Sequence, residues 1–294
     1  MAEWRLPEEL NTSANAFRDK FGKLSFEEWR DLLIASMTTP IIDGLEFPRF
    51  APLEIQVQTH GSSGEAALRE AAGFYEFVST RTFFREKAVP GATFLDFGTG
   101  WGRIARFFLR DFDLRRFFAF EPKHTGCFRA RTLNPYLCVL TGDEIPDQSL
   151  PPNWFDLIVG WSIFSHLSEY STTAWLEEMA RIMRPGGYCV FTTFGDRFLD
   201  QLIASQSDLS AGKDVHWYSR SCLEAAGDIA DLKNRYLRGE FVWLGGGLTK
   251  YYGYATFLHD KALLNILRAR RLPMELIDFD RESLGMDTFI LRRK

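Results

Sequence analysis

Phe94-Leu95-Asp96-Phe97-Gly98-Thr99-Gly100-Trp101-Gly102-Arg103 is the stretch that decides how this chain is read. A short apolar strand runs into glycines at alternate positions, and a helical pattern follows over 103–110. Glycine is needed where the backbone turns with positive φ, or lies against a ligand with no Cβ between them. Open α/β sheets bind ligands at the carboxyl ends of their strands, beside the switch in strand order. The exposed amides of a helix start there favour an anionic group.

Outward from this loop the texture is regular. Strand-like runs at 92–97, 117–121, 137–140, 155–161 and 188–194 alternate with helical stretches at 103–110, 125–132 and 170–184. Such alternation predicts a mostly parallel sheet with helices on both faces, joined by right-handed crossovers. A helix at 261–271 and strands at 274–280 and 287–292 are expected to close it, giving a seven-stranded α/β fold. Before the sheet, Ser25 and Glu28 stand at capping-box spacing ahead of a helix carrying Phe26, Trp29, Leu32 and Leu33. Prolines 40, 48 and 52 interrupt the pattern, and a second helix spans 62–87, stopped by Pro90-Gly91. Residues 195–259 read as irregular, with a helix near 196–209, the aromatic run His216-Trp217-Tyr218 and the glycines 245–247, a lid or a tight loop. The expected organisation is an N-terminal helical arm and ligand cover (1–90), a core (91–195 and 260–294) and an insertion forming an acceptor cap (196–259).

The loop chemistry separates two ligand classes. The dinucleotide pattern G-x-G-x-x-G requires glycine where Arg103 stands. Asp96, two residues before the first glycine, repels a pyrophosphate and pairs with an ammonium group. A ligand carrying both a carboxylate and an amine fits better, and the methionine end of S-adenosylmethionine carries both. Leu95-Asp96-x-Gly98-x-Gly100-x-Gly102 resembles motif I of the class I S-adenosylmethionine-dependent methyltransferases. Trp154-Phe155-Asp156-Leu157-Ile158-Val159 resembles their fourth-strand motif, and Arg184-Pro185-Gly186-Gly187 their turn into the fifth strand. The resemblance covers about 92–194 and 260–294. It implies a Rossmann-like fold with S-adenosyl-L-methionine as cofactor and S-adenosyl-L-homocysteine as product. It implies a cofactor site built from Asp96, Gly98, Thr99, Gly100 and Gly102. Glu121 followed by Pro122 would hold the ribose hydroxyls, and Asp143 or Glu144 the adenine, with Asp143 preferred. Trp161 either lines the adenosine pocket or fills the core.

For a hydroxyl acceptor the protein must supply alignment and a base. Ser162-Ile163-Phe164-Ser165-His166-Leu167-Ser168-Glu169 follows the fourth strand, which makes His166 the first candidate for that base and His216, in the insertion, the second. The competing reading has His166 packing or capping the helix that starts near Glu169. The Asn/Asp-Pro-Pro-Tyr/Phe signature of nucleobase and glutamine amino-group methyltransferases is missing. Residues 56–64, containing His60, are expected near the cofactor or an anionic substrate group, or as a plain helix start. Arg103, Arg106 and Arg110 share a helix face that reads as solvated.

The chain also resembles a bacterial methyltransferase branch suspected of acting on saccharides. Gln56, Gly61 and Gly64, then Asp96–Arg103, then Phe164-Ser165-His166-Leu167-Ser168-Glu169, and a closing Asp287-Thr288-Phe289-Ile290-Leu291-Arg292 carry that resemblance. It implies O-methylation of a sugar or glycan hydroxyl. The alternatives are a natural-product O- or N-methyltransferase and a methyltransferase-like binding subunit. A nicotinamide oxidoreductase is disfavoured by Asp96 and Arg103.

Composition sets the outer bounds. The 294 residues carry 35 Lys+Arg against 39 Asp+Glu, so net charge gives no grip on nucleic acid. Cys127, Cys138, Cys189 and Cys222 form no C-x-x-C, and His124 with Cys127 lacks a second pair, so neither a zinc site nor a disulfide framework is expected. The amino-terminal residues, with Glu3, Arg5, Glu8 and Glu9, do not read as a secretory signal, and no run suits a membrane span, so a cytoplasmic location is expected. The 27 Phe, 8 Trp and 9 Tyr are a surplus. The phenylalanines fall in the predicted core, and the Trp and Tyr cluster in the insertion, where their flat faces suit a small-molecule or saccharide acceptor.

Overall fold

The alternation from residue 92 onward resolves into seven strands. They are β1 (Phe94–Phe97), β2 (Phe117–Phe120), β3 (Cys138–Leu140), β4 (Phe155–Gly160), β5 (Met183–Thr193), β6 (Met274–Asp280) and β7 (Asp287–Arg293). They make one mostly parallel sheet in the order β6-β7-β5-β4-β1-β2-β3, flanked by helices in a Rossmann-like arrangement. The strand order reverses between β1 and β4, which places the switch at the loop after β1. The computed structural model describes residues 16–82, 91–246 and 249–294. The first fifteen residues, the expected helix end at 83–87, Pro90 and Gly247 lie outside the described residues. Among those described, no helix is long and apolar enough to cross a membrane. All four cysteines are free.

Contacts divide the chain into two units, Met1–Asp143 with Trp154–Val159, and Glu144–Asn153 with Gly160–Lys294. In the first, β1 pairs in parallel register with β2 and β4, and β2 with β3. The phenylalanine surplus fills this core. Phe94 stacks on Phe108 and Phe117 at 4.6 and 4.9 Å, and Phe112 lies 5.0 Å away. The arm brings its own aromatics. Phe17, Phe21, Trp29 and Phe47 form a buried cluster, and the Trp29 indole donates to Phe107 O at 2.8 Å. The capping box at Ser25 and Glu28 forms with both of its hydrogen bonds.

Two expectations change here. The helix after the glycine loop is only Ala105–Phe108, because Gly102, at φ 85°, keeps the backbone out of helical geometry until Arg103. The arginine face is not solvated. Arg103, Arg106 and Arg110 are 1, 1 and 8% exposed. The arm covers them, and each donates to carbonyls in it or in the helix Gly64–Arg81. Arg103 reaches Ala67 O, Arg106 reaches Arg49 O, and Arg110 reaches Leu24 O and Ser25 O.

In the second unit β7 runs antiparallel to β5 and to β6, with Asp287 opposite Thr193. The segment Arg184-Pro185-Gly186-Gly187, read above as a turn, lies inside β5, with Gly186 at φ 83°. Residues 195–259 are regular, another correction. They form the helices Asp196–Ser210, Trp217–Ala226 and Ile229–Leu237, then the antiparallel hairpin Phe241–Leu244 with Ala255–Leu258. Two of these helices have only nine or ten residues, too short for a clear apolar period, and are started by the caps His216 and Asp228. Leu199, Leu202, Leu232, Tyr236, Val242 and Phe257 give this segment a buried core of its own.

Arg110 makes the most arm contacts of the three arginines. Replacing it by Met keeps the stem and leaves Leu24 O and Ser25 O without their donor. Arg110→Met should cost about 2–4 kcal/mol in urea unfolding. Amide exchange should accelerate first in Phe26–Ala35. Unchanged exchange there would show that the arginine does not fasten the arm.

Candidate active site

The loop after β1 is shaped by three glycines in the left-handed region, Gly98, Gly100 and Gly102 at φ 77, 58 and 85°. The amides of Gly98 and Thr99 donate to Phe120 O at 2.8 and 3.1 Å, and that of Gly102 donates to Thr99 O at 2.8 Å. A Cβ on Gly102 would meet the Asn134 side chain at 2.4 Å, whereas a Cβ on Gly100 would meet nothing within 4 Å. Gly100 therefore borders open space while Gly102 is packed. The buried Asn134 amide holds the loop from behind, donating to Trp101 O at 2.9 Å and Ala130 O at 2.8 Å. Sequence reasoning missed Asn134, which lies 32 residues beyond Gly102 with no motif around it.

Two carboxylates flank the loop. Asp96, on β1, accepts from Thr99 Oγ1 at 2.7 Å and from the Ala105 amide. Burial pushes its pKa up to about 7, against the pull of those donors and of Arg103, and with a further push from Glu121. Glu121, just past β2, accepts the Gly100 amide at 3.0 Å on one oxygen and the Lys123 amide at 3.1 Å on the other. Burial raises its pKa too. Each carboxylate oxygen keeps a further lone pair, so Glu121 can still receive two hydroxyls. Asp96, Gly98, Thr99, Gly100, Gly102, Glu121 and the half-buried Pro122 are thus gathered in the first unit. Asp143 belongs to that unit with its side chain exposed. Glu144, whose carbonyl takes the Trp175 indole N–H at 2.9 Å, and the buried Trp161 belong to the second.

In the second unit the segment after β4 turns at Ser162, a non-glycine at φ 56°, whose amide donates to Thr192 Oγ1 at 2.8 Å. His166 follows. Its Nδ1 lies 2.8 Å from Tyr254 O, its ring stacks on Tyr252 at 4.9 Å, and it meets Phe194 edge-on at 5.7 Å. A carbonyl only accepts, so Nδ1 carries the proton and the lone pair of the neutral ring is on Nε2. The cap of Glu169–Ile182 is Ser168, not His166. Phe194, Phe198, Tyr218 and Tyr252 are all half-buried around this segment, and the Tyr218 hydroxyl also donates to Tyr254 O. His216 does not join them. It is exposed and caps Trp217–Ala226, its Nδ1 accepting the Tyr218 amide. The Tyr251-Tyr252-Gly253-Tyr254 run was visible in the sequence, but nothing there told which carbonyl would meet His166.

The profile of a family described as a methyltransferase domain matches residues 68–237. No curated protein matches the chain. Among solved structures it is similar to an S-adenosylmethionine-bound amino pentose methyltransferase from Micromonospora echinaspora involved in calicheamicin biosynthesis, at 16% identity and TM-score 0.49, covering 83% of this chain and 98% of that one. A magnesium protoporphyrin IX methyltransferase from Synechocystis with bound S-adenosylhomocysteine aligns at 10% identity and TM-score 0.47, covering 95% of this chain and 99% of that one. An S-adenosylmethionine-dependent methyltransferase from Mesorhizobium loti aligns at 15% identity and TM-score 0.46, covering 71% and 94%.

The raised Asp96 pKa carries a stability consequence. The folded state holds this proton more tightly than the unfolded chain does, so Asp96 favours folding at low pH and loses that contribution as pH rises through about 7. Asp96→Asn, with no charge to bury, should therefore gain on the wild type by about 2 kcal/mol between about pH 5.5 and about pH 8, measured by urea unfolding at each pH. A difference independent of pH would mean that Asp96 is ionised throughout.

Proposed function

The chain belongs to the methyltransferase-domain family, and on that premise we propose that it methylates a sugar or glycan hydroxyl with S-adenosylmethionine as donor. The observation that carries the cofactor half is the pair of buried carboxylates fixed by the glycine loop, beside a glycine that faces open space. Asp96, pushed towards protonation by burial, is stabilised as an anion by a cation such as the ammonium of the methionine end. Glu121 receives the ribose hydroxyls. Asp143 takes the adenine amino group, with Pro122 bordering the base. When bound, S-adenosylmethionine supplies an electrophilic methyl group.

The acceptor half rests on His166. Held by Tyr254 O, its ring presents Nε2 as a proton acceptor, and deprotonating a hydroxyl as the new bond forms is the task a hydroxyl acceptor demands. The aromatic faces of Tyr252, Phe194, Phe198 and Tyr218 suit the apolar face of a sugar ring, and the exposed Tyr170, stacked on Tyr251 at 6.0 Å, extends the same chemistry. His216, already spent as a helix cap, is the lesser candidate.

The deciding experiment is an acceptor screen with a methyl-labelled cofactor, followed by NMR of the product to separate O- from N-methylation. With the acceptor in hand, His166→Ala should lower turnover about 100-fold or more and leave S-adenosylhomocysteine affinity unchanged. An undiminished rate removes the base role. Homocysteine-form binding without turnover on any acceptor would favour a binding subunit instead.

A further inference from the structure

The second unit holds three buried polar atoms that neither the fold nor the reading above uses. Thr193, the last residue of β5, is fully buried, and its Oγ1 has no hydrogen-bond partner. Asp196 Oδ1 and Arg281 Nε are buried without a hydrogen-bond partner as well. Their side chains meet around Asp287. Thr193 stands directly opposite Asp287 in the register of β5 with β7, so the two point to one face of the sheet. Arg281 Nε lies 3.9 Å from Asp287 Oδ1, and Arg281 Nη2 donates to Asp196 Oδ2. A Cβ on Gly195 would run into the Asp287 carboxylate, which brings the start of the helix Asp196–Ser210 against the same group.

The place suits a ligand. β5 ends here, and open α/β sheets bind ligands at the carboxyl ends of their strands. Phe194, the next residue, meets the His166 ring edge-on at 5.7 Å. Thr193 is the floor. The Asp196–Arg281 ion pair is the rim, and with its side chains 40 and 35% exposed it reaches solvent. Asp287 is already occupied, accepting the hydroxyl of the buried Tyr236.

The unmatched atoms select the ligand. The Asp196 carboxylate can only accept, Arg281 Nε can only donate, and a threonine hydroxyl does either. Asp287 is mostly ionised at neutral pH, although burial pushes its pKa up to about 6. Two carboxylates thus stand against one guanidinium. Both acids repel a carboxylate or a phosphate. An ammonium answers Asp196 but leaves Nε unmatched and sets two cations side by side. A neutral hydroxyl meets every demand, donating to Asp196 Oδ1 and accepting from Arg281 Nε or Thr193 Oγ1.

We propose that Thr193, Asp196 and Arg281 bind a hydroxyl of the acceptor other than the one that is methylated, and so decide which sugar is taken. The inference rests on the sugar-acceptor reading given above.

Methyl transfer by the full-length protein to the methyl glycosides of glucose, galactose, mannose and rhamnose, and to their monodeoxy analogues, is the test. For a glycoside that is methylated, deleting one hydroxyl other than the methylated one should lower wild-type kcat/KM about tenfold or more. Asp196→Ala should lose most of that discrimination. Thr193→Val, which puts a methyl group of the same shape in place of the hydroxyl, should weaken it and raise KM for the parent glycoside, whereas Thr193→Ser should keep both near wild type. Side chains with only a structural role would slow parent and deoxy forms alike. Discrimination that survives in both Asp196→Ala and Thr193→Val overturns the proposal. So does a wild type that discriminates against no deoxy form, in which case the three atoms hold a structural water only. If no glycoside is methylated, the sugar reading falls and this inference falls with it.

Discussion

Two carboxylates, Asp96 and Glu121, stand buried at the ends of neighbouring parallel strands, close enough that Glu121 disfavours ionisation of Asp96. Much around the loop answers that constraint. The positive φ values of Gly98, Gly100 and Gly102 fold the backbone so that the Gly100 amide points at Glu121 and Thr99 reaches Asp96. Gly126 lacks a side chain where the Glu121 carboxylate lies, since a Cβ there would approach within 2.8 Å. Donors on both sides lower the cost of burial without abolishing it, so both carboxylates stay harder to ionise than free ones.

The arginines extend the same electrostatics to the arm. Arg103 draws the Asp96 pKa down, and it is itself anchored by Glu70 and Ala67 O. Arg106 donates to Arg49 O, and Arg110 to Leu24 O and Ser25 O. Arg103, the cation that offsets Asp96, is thus one of three arginines that fasten residues 24–70 over the first helix of the core. An arm attached in this way is part of the site's electrostatics, not an appendage to it, and loosening it would change the charge balance around Asp96.

What could be read from the sequence follows from the range of the interactions. The glycine spacing, Asp96 and Glu121 were legible because each answers a local demand of backbone geometry or strand-end position. The capping box at Ser25 was legible for the same reason. The fate of the arginine face was not, because a row of cations on a helix looks identical whether water or an arm 33–86 residues away covers it. Asn134 and Tyr254 were invisible for a related reason. One acts through a side-chain amide on a distant loop, the other through a backbone carbonyl that carries no residue identity. Where the reading stopped at irregular structure, in 195–259, the local period was too short to speak, and a core of its own supplied the order.

The role of the insertion sharpens around His166. Three hydrogen bonds tie the hairpin to this one residue. The Gly253 amide and the Trp243 indole both donate to His166 O, at 2.8 and 3.2 Å, and the imidazole N–H donates to Tyr254 O. Gly253 makes this closure possible, because a Cβ there would meet Leu244 O at 2.4 Å and the Trp243 indole nitrogen at 2.5 Å. The tautomer of His166 is therefore set by the hairpin's backbone, through Tyr254 O. A hairpin that opened would release the ring's orientation along with the wall made by Tyr252. The hairpin that carries Tyr252 and the bond that orients the imidazole are one structural device, so whatever orders the hairpin also orders the His166 ring.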